Sequence, residues 1–247
     1  NGIYHLPNLG NTRFVYITTP AGYLTDCEQT IPRFYQEIDL SKTNEYNFRL
    51  KKNPKDDSKH LFVLEADVQA GLKEHWDLYA PIVDDYKQLI DQHTDRDVFG
   101  LNCGDIFWDT PATFFPPYID KAKKLDIPIY RAIGNHDIDC NGATHETSYR
   151  TFEGYFGPTH YSFNKGNAHY IVINNNFYVG REYFYIGYVD ETTFKWLEED
   201  LSYVPKGTLV FFMTHIPTRI TEQKRPFNYD YGCLLYTSPS PRDRQKS

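Results

Sequence analysis

Apolar and polar positions change their period along the chain, and the changes mark the elements. Short apolar runs at 61–64, 98–103, 127–133, 169–174 and 208–213 have the length and composition of buried strands. Between the first two, Trp76, Tyr79, Val83, Tyr86 and Ile90 recur at steps of three and four, which places them on one face of a helix. Further helices are predicted over 116–125 and 190–201, the latter with Trp196 and Leu197 turned inward. Strands alternating with helices predict an α/β fold, a parallel or mixed sheet covered by helices.

The first 58 residues follow another pattern. Residues 13–18 are β-rich, Thr19-Pro20-Ala21-Gly22 is a turn, and 46–50 alternate as a strand does. This stretch reads as part of a small β domain. The polar run 51–58 has no period and is the expected linker, so the predicted organisation is a β domain over 1–58 and an α/β domain over 59–233. Residues 234–247 end in Ser-Pro-Ser-Pro and mixed charges. They read as translated cloning sequence, with a disordered natural tail as the alternative, and are given no function.

Composition narrows the function classes. A formal charge of -7, with no Lys/Arg cluster before the last residues, speaks against a binder of nucleic-acid backbones. No run of ~18 apolar residues predicts a membrane span. Four widely spaced cysteines, Cys27, Cys103, Cys140 and Cys233, contain no CxxC pair and are read as unpaired. The 21 tyrosines fit strand-rich packing better than a carbohydrate- or base-stacking surface. Asn1 opens the chain without a signal-peptide pattern, so the compartment is not readable.

In open α/β sheets, ligands bind beyond the carboxyl ends of the strands. Four predicted strands end there in groups able to hold a metal: Asp67 and Gln69 after the first, Asp105 after the second, Asn135, His136 and Asp137 after the third, and His215 after the last. One such residue means little, because Asp and Asn are common in loops. Four strand ends supplying them at once point to a site for two divalent ions, which need a bridging carboxylate flanked by oxygen and imidazole ligands. Asp105 is the natural bridge, with Gly104 allowing the sharp turn before it. Asp109 either orients a ligand or caps a following helix.

Gly104-Asp105 with Asp109, Gly134-Asn135-His136-Asp137 and a strand-terminal His215 occur in the order of the motifs of calcineurin-like phosphoesterases, and residues 60–230 resemble that family. Phe156-Gly157-Pro158, Tyr161-Ser162-Phe163 and the Trp196-Leu197 helix resemble a bacterial branch in which a β-sandwich precedes the catalytic domain. The resemblance implies a four-layer sandwich, two mixed β-sheets flanked by helices, behind part of that β domain. It implies a hydrolase of phosphomonoesters or phosphodiesters that uses two divalent ions (manganese, magnesium, iron or zinc) and a bridging hydroxide as nucleophile. Asp67 and Asp105 would hold the first ion, and Asp105, Asn135 and His215 the second. His136 would act beside the phosphate as general acid or charge stabiliser, with Asp137 setting its tautomer. A periplasmic or secreted location is compatible with the branch.

Two departures from the family pattern matter. Gln69 stands where the first motif usually has histidine; its amide oxygen favours manganese or magnesium at that position. No histidine follows His215, so the closing Gly-His-x-His motif is absent and each ion would lack one ligand. The alternative function is therefore a non-catalytic, phosphoesterase-like binding protein. Arg219, on the rim after His215, and Arg131 are candidates for the substrate phosphate, each with an ordinary salt bridge as the plainer role. His160 is a weaker substrate candidate, and Cys103 reads as a small buried strand residue rather than a nucleophile.

Overall fold

A computed structural model describes residues 2–7, 12–108, 111–139, 144–180, 184–218 and 234–235. The N-terminal part contains short strands: β1 (Phe14–Tyr16), β2 (Tyr23–Leu24), β3 (Cys27–Glu28), β4 (Ile31–Pro32), β5 (Tyr35–Glu37) and β6 (Lys51–Lys52). Next come β7 (Leu61–Glu65), α1 (His75–Asp91), β8 (Val98–Asn102), α2 (Pro111–Ala122) and β9 (Ile129–Arg131). A short helix α3 (Arg150–Phe156) leads to β10 (Tyr161–Lys165), β11 (Ala168–Val172), β12 (Asn176–Gly180) and β13 (Phe184–Val189). Helix α4 (Glu191–Ser202) and β14 (Leu209–Met213) follow, and Leu234–Leu235 pair with β13.

Two sheets stack through their aromatic faces. The first, β7-β8-β9, is parallel; the second, β10-β11-β14, is mixed, with β10 antiparallel and β14 parallel to β11. Alternation along each strand divides the side chains between two cores. Phe99, Leu101 and Tyr130 of the first sheet meet Tyr161, Phe163, Tyr170, Val172 and Met213 of the second. Val98 and Ile129 point the other way, into a cluster with Trp76, Tyr79 and Val83 of α1 and Tyr118 and Ile119 of α2. Behind the second sheet, Ile171 and Ile173 pack with Phe194, Trp196 and Leu197 of α4. The order is helix, sheet, sheet, helix, the four-layer arrangement expected. The tyrosines belong largely to these cores: Tyr130 stacks on Phe163 at 3.6 Å between centroids, and Tyr170 on Phe211 at 4.7 Å.

The helix starts follow local chemistry. Asp190 caps α4, its carboxylate accepting from the amides of Thr192 at 2.8 Å and Thr193 at 3.0 Å. Residues 46–50 carry no strand; the pairing falls one step later, where Lys51–Lys52 add to Tyr23–Leu24. The polar run that follows is anchored, because Asp57 is buried and accepts from the Gly22 amide at 2.6 Å. The N-terminal strands also meet the α/β layers directly. Thr19 bridges to Phe163, the Ile129 amide donates to the Thr30 carbonyl at 2.8 Å, and Ile31 and Phe34 lie in the two large cores. Among the described residues, no helix is long and apolar enough to cross a membrane.

Candidate metal centre

The loops leaving β7, β8, β9 and β14 converge at one end of the stacked sheets. The first two are laced together: the Asp67 amide donates to Gly104, the Gln69 amide to Asp105 and the Ala70 amide to Ile106, and the Trp108 amide returns to Ala70. This lacing holds Asp67 (φ 54°), Gln69 (φ 45°) and Asp105 (φ 53°) in the left-handed region. Such backbone is uncommon for residues other than glycine and persists only where the surroundings enforce it. The β8 and β9 loops pass back to back at Gly104 and Gly134. A Cβ on Gly134 would stand 2.1 Å from both the amide nitrogen and Oδ1 of Asp105.

Asp67, Asp105 and His215 present ligand atoms within 4.8 Å of one another. Asp105 is buried; its Oδ1 accepts from the His136 amide at 2.9 Å and lies 3.4 Å from His215 Nε2. The other His215 nitrogen, Nδ1, lies 3.0 Å from the Cys103 carbonyl, which can only accept, so Nδ1 carries a hydrogen. Nε2 then faces Asn135 Oδ1 at 2.9 Å as well as the Asp105 carboxylate. Nε2, Asn135 Oδ1 and Asp105 Oδ1 thus converge where a proton on Nε2 or a cation would be held. Burial alone lowers the His215 pKa, but the Asp105 hydrogen bond and charge, the Cys103 carbonyl and Asp67 outweigh it and raise the pKa above the ordinary value. Burial likewise pushes the Asp105 carboxyl up, and His215 with His136 reverses that and holds it below its usual range. Carboxylate oxygens, an amide oxygen and an imidazole nitrogen are a donor set that fits a divalent ion.

The sequence model of the calcineurin-like phosphoesterase family matches residues 61–239, and that of its N-terminal domain matches residues 1–53. The chain belongs to the calcineurin-like phosphoesterase family. Among solved structures, the purple acid phosphatase PPD1 from yellow lupin (Lupinus luteus) seeds is similar at 15% identity and a TM-score of 0.46, over 64% of this chain. The chain spans 30% of that protein's length. No curated protein matches it.

Asp67, Gln69, Asp105, Asn135, His136 and His215 are brought together in this family member, with two differences from expectation. Gln69 turns its amide nitrogen, not its oxygen, toward the carboxylates, 3.1 Å from Asp105 Oδ2 and 3.4 Å from Asp67 Oδ1. Two carboxylate acceptors suit the donor end of an amide, and a half-turn of that group presents the oxygen. Asp137 does not act on the His136 ring as expected. Its carboxylate is fully buried and accepts from the amides of Ile106 at 2.9 Å, Phe107 at 3.2 Å and Gly134 at 2.8 Å. Burial pushes its carboxyl up to about 7, against the pull of those amides. Asp137 is thus a positioning residue that ties the β9 loop to the β8 loop. Arg219, Asp109, Cys140 and Cys233 lie outside the described residues.

Arg131 does not face the centre. It is buried, its guanidinium donating to Thr30 Oγ1 at 2.7 Å and to the Thr30 and Ile129 carbonyls, with Phe156 beneath it at 4.6 Å. His160 packs against Tyr16 and Trp196.

Sequence reasoning missed the supports of these loops. Asn175 pairs with both backbone groups of Ile216, donating to its carbonyl at 2.6 Å and accepting from its amide at 3.1 Å, which fixes the turn carrying His215. Asn176 donates to the Ile133 carbonyl at 2.7 Å, just before Gly134. Beneath the centre, Asn102 accepts from the Gly104 amide and donates to Glu65, which also receives the hydroxyls of Tyr79 and Tyr118. The signal for the first pair was three consecutive asparagines, 174–176, at the end of an apolar strand. Glu65 had a fainter one, an acid closing a buried run.

Proposed function

We propose that this chain hydrolyses phosphomonoesters or phosphodiesters at a centre of two divalent ions bridged by Asp105. The convergence of His215 Nε2, Asn135 Oδ1 and Asp105 Oδ1 carries the reading, because an imidazole nitrogen and two oxygens meeting at one point form a donor set that suits a divalent ion. Asp67 and the Gln69 oxygen would complete the first position; Asn135 and His215, the second. Such ions supply a water of lowered pKa and neutralise charge on the phosphate oxygens. The chain's own residues position these partners. Asp105 is fixed through its backbone and the His136 amide, and His215 is fixed by the Cys103 carbonyl. His136, whose Nε2 lies 4.0 Å from Asp105 Oδ2, holds a proton beside the departing oxygen. Arg219 is proposed as a contact to the substrate phosphate.

Hydrolysis of p-nitrophenyl phosphate and of its bis-ester, with and without added manganese, tests the reading. Manganese-dependent turnover by the chain, lost in Asp105→Asn, is the expected result. Turnover indifferent to manganese, or unchanged in that variant, refutes it. Manganese binding without turnover supports the non-catalytic alternative.

A further inference from the structure

Beside His136 stands an aromatic side chain that no metal motif explains. The Trp108 indole lies against the His136 imidazole with centroids 4.3 Å apart and planes 19° from parallel, a stacked pair. The two partners come from different loops, β8 for the tryptophan and β9 for the histidine. Each is fixed by its backbone: the Trp108 amide donates to Ala70 at 3.3 Å, and the His136 amide to Asp105 Oδ1 at 2.9 Å. Gly71 leaves room for this wall, since a Cβ there would meet Trp108 Cβ at 3.1 Å. The indole remains 50% exposed, a large apolar side chain kept at the rim of a polar centre. Burial therefore does not account for its position, and the stack gives it a partner at the centre. A flat wall removes the ring-flipping freedom of the imidazole and keeps its edge toward Asp105.

We propose that Trp108 is a positioning residue that holds the His136 ring where it can protonate the leaving oxygen, an inference that rests on the function proposed above. In that step the bond from phosphorus to the leaving oxygen breaks with its electron pair on that oxygen. The oxygen takes the proton held by His136, a water oxygen bonds to phosphorus, and the water's proton passes to solvent, which recharges the imidazole. An ester with a good leaving group, p-nitrophenyl phosphate, needs this proton little; phenyl phosphate needs it much more.

The test compares wild type, Trp108→Ala, Trp108→Phe, His136→Ala and the Trp108→Ala/His136→Ala double variant with manganese, on both esters. Trp108→Ala is expected to lower kcat on phenyl phosphate by roughly 10- to 100-fold, part of the usual worth of a general acid, with a much smaller loss on p-nitrophenyl phosphate and little change in KM. Trp108→Phe should recover most of that loss, and in the His136→Ala background Trp108→Ala should add nothing. Equal losses on both esters, or additive losses in the double variant, overturn the proposal. A second readout needs no turnover. In proton NMR of the metal-free protein, the His136 ring protons should be shifted upfield by the indole ring current and return to ordinary values in Trp108→Ala. Ordinary shifts in wild type overturn the stack itself. Upfield shifts in a wild type that turns over neither ester refute the function proposed above while leaving the positioning intact.

Discussion

Gly134→Ala is the smallest change that bears on how the centre is built. The added methyl carbon would lie 2.1 Å from the Asp105 amide nitrogen and from Oδ1, and 2.8 Å from its Cα. Ordinary contact requires roughly 3.5 Å, so Asp105 or the β9 loop must move by about 1.4 Å. Neither moves freely, because the Gly134 amide is bonded to Asp137 and Oδ1 of Asp105 to the His136 amide. Displacing the Asp105 carboxylate on this scale should weaken manganese binding by roughly 10- to 100-fold, the usual effect of losing a group that orients a ligand. That is about 1.4–2.7 kcal/mol. Titration calorimetry with manganese on the folded variant measures it. Gly154→Ala, in α3, is the matched control: its methyl carbon would have nothing within 4 Å, and the change should leave binding unaltered while stabilising the fold by about 0.4–1 kcal/mol. Equal manganese affinity in wild type and Gly134→Ala would refute the argument.

Two further outcomes follow from the buried polar groups. The raised pKa of His215 means that its proton stabilises the metal-free fold at low pH and that this contribution is lost as pH rises through the raised value. A metal must displace that proton from Nε2, so manganese affinity should fall about tenfold per pH unit below that value and level off above it; calorimetry across pH shows this, and a flat profile contradicts it. Arg131→Met should destabilise the protein by about 3–5 kcal/mol in urea unfolding, since it strands Thr30 Oγ1 and the Ile129 carbonyl in the core; a loss below about 1 kcal/mol would contradict that assignment.

Much of the centre was legible because strand ends in an α/β sheet are both predictable and functional. An apolar run followed by Gly-Asp or Gly-Asn-His-Asp locates the converging side chains without any knowledge of the packing. The parts that were not legible depend on contacts distant in sequence. Arg131 looks like a rim cation until Thr30, 101 residues away, is placed over it. Asp137 sits in the motif beside His136, yet its partners are amides about 30 residues earlier. Residues 46–50 alternate as a strand does but find no partner, while Lys51–Lys52, with no apolar pattern at all, do. Short strands are decided by the available edge more than by their own side chains.

The backbone strain in the centre explains why these positions read as they do. Left-handed backbone at Asp67 and Asp105 costs roughly 1 kcal/mol or more at each residue, and glycine would remove that cost. Glycine, however, would remove the carboxylates, and the sequence instead spends its glycines at 104 and 134, where a side chain is sterically forbidden. The backbone bonds from Asp67 to Gly104 and from Gln69 to Asp105 then hold the strained residues in place, and Asp137 clamps the β9 loop against them. In such a frame the backbone that carries the side chains is set in advance. On the function proposed above, a cation would meet these lone pairs without the loops reorganising, which is the condition for a centre that stabilises charge developing on phosphate.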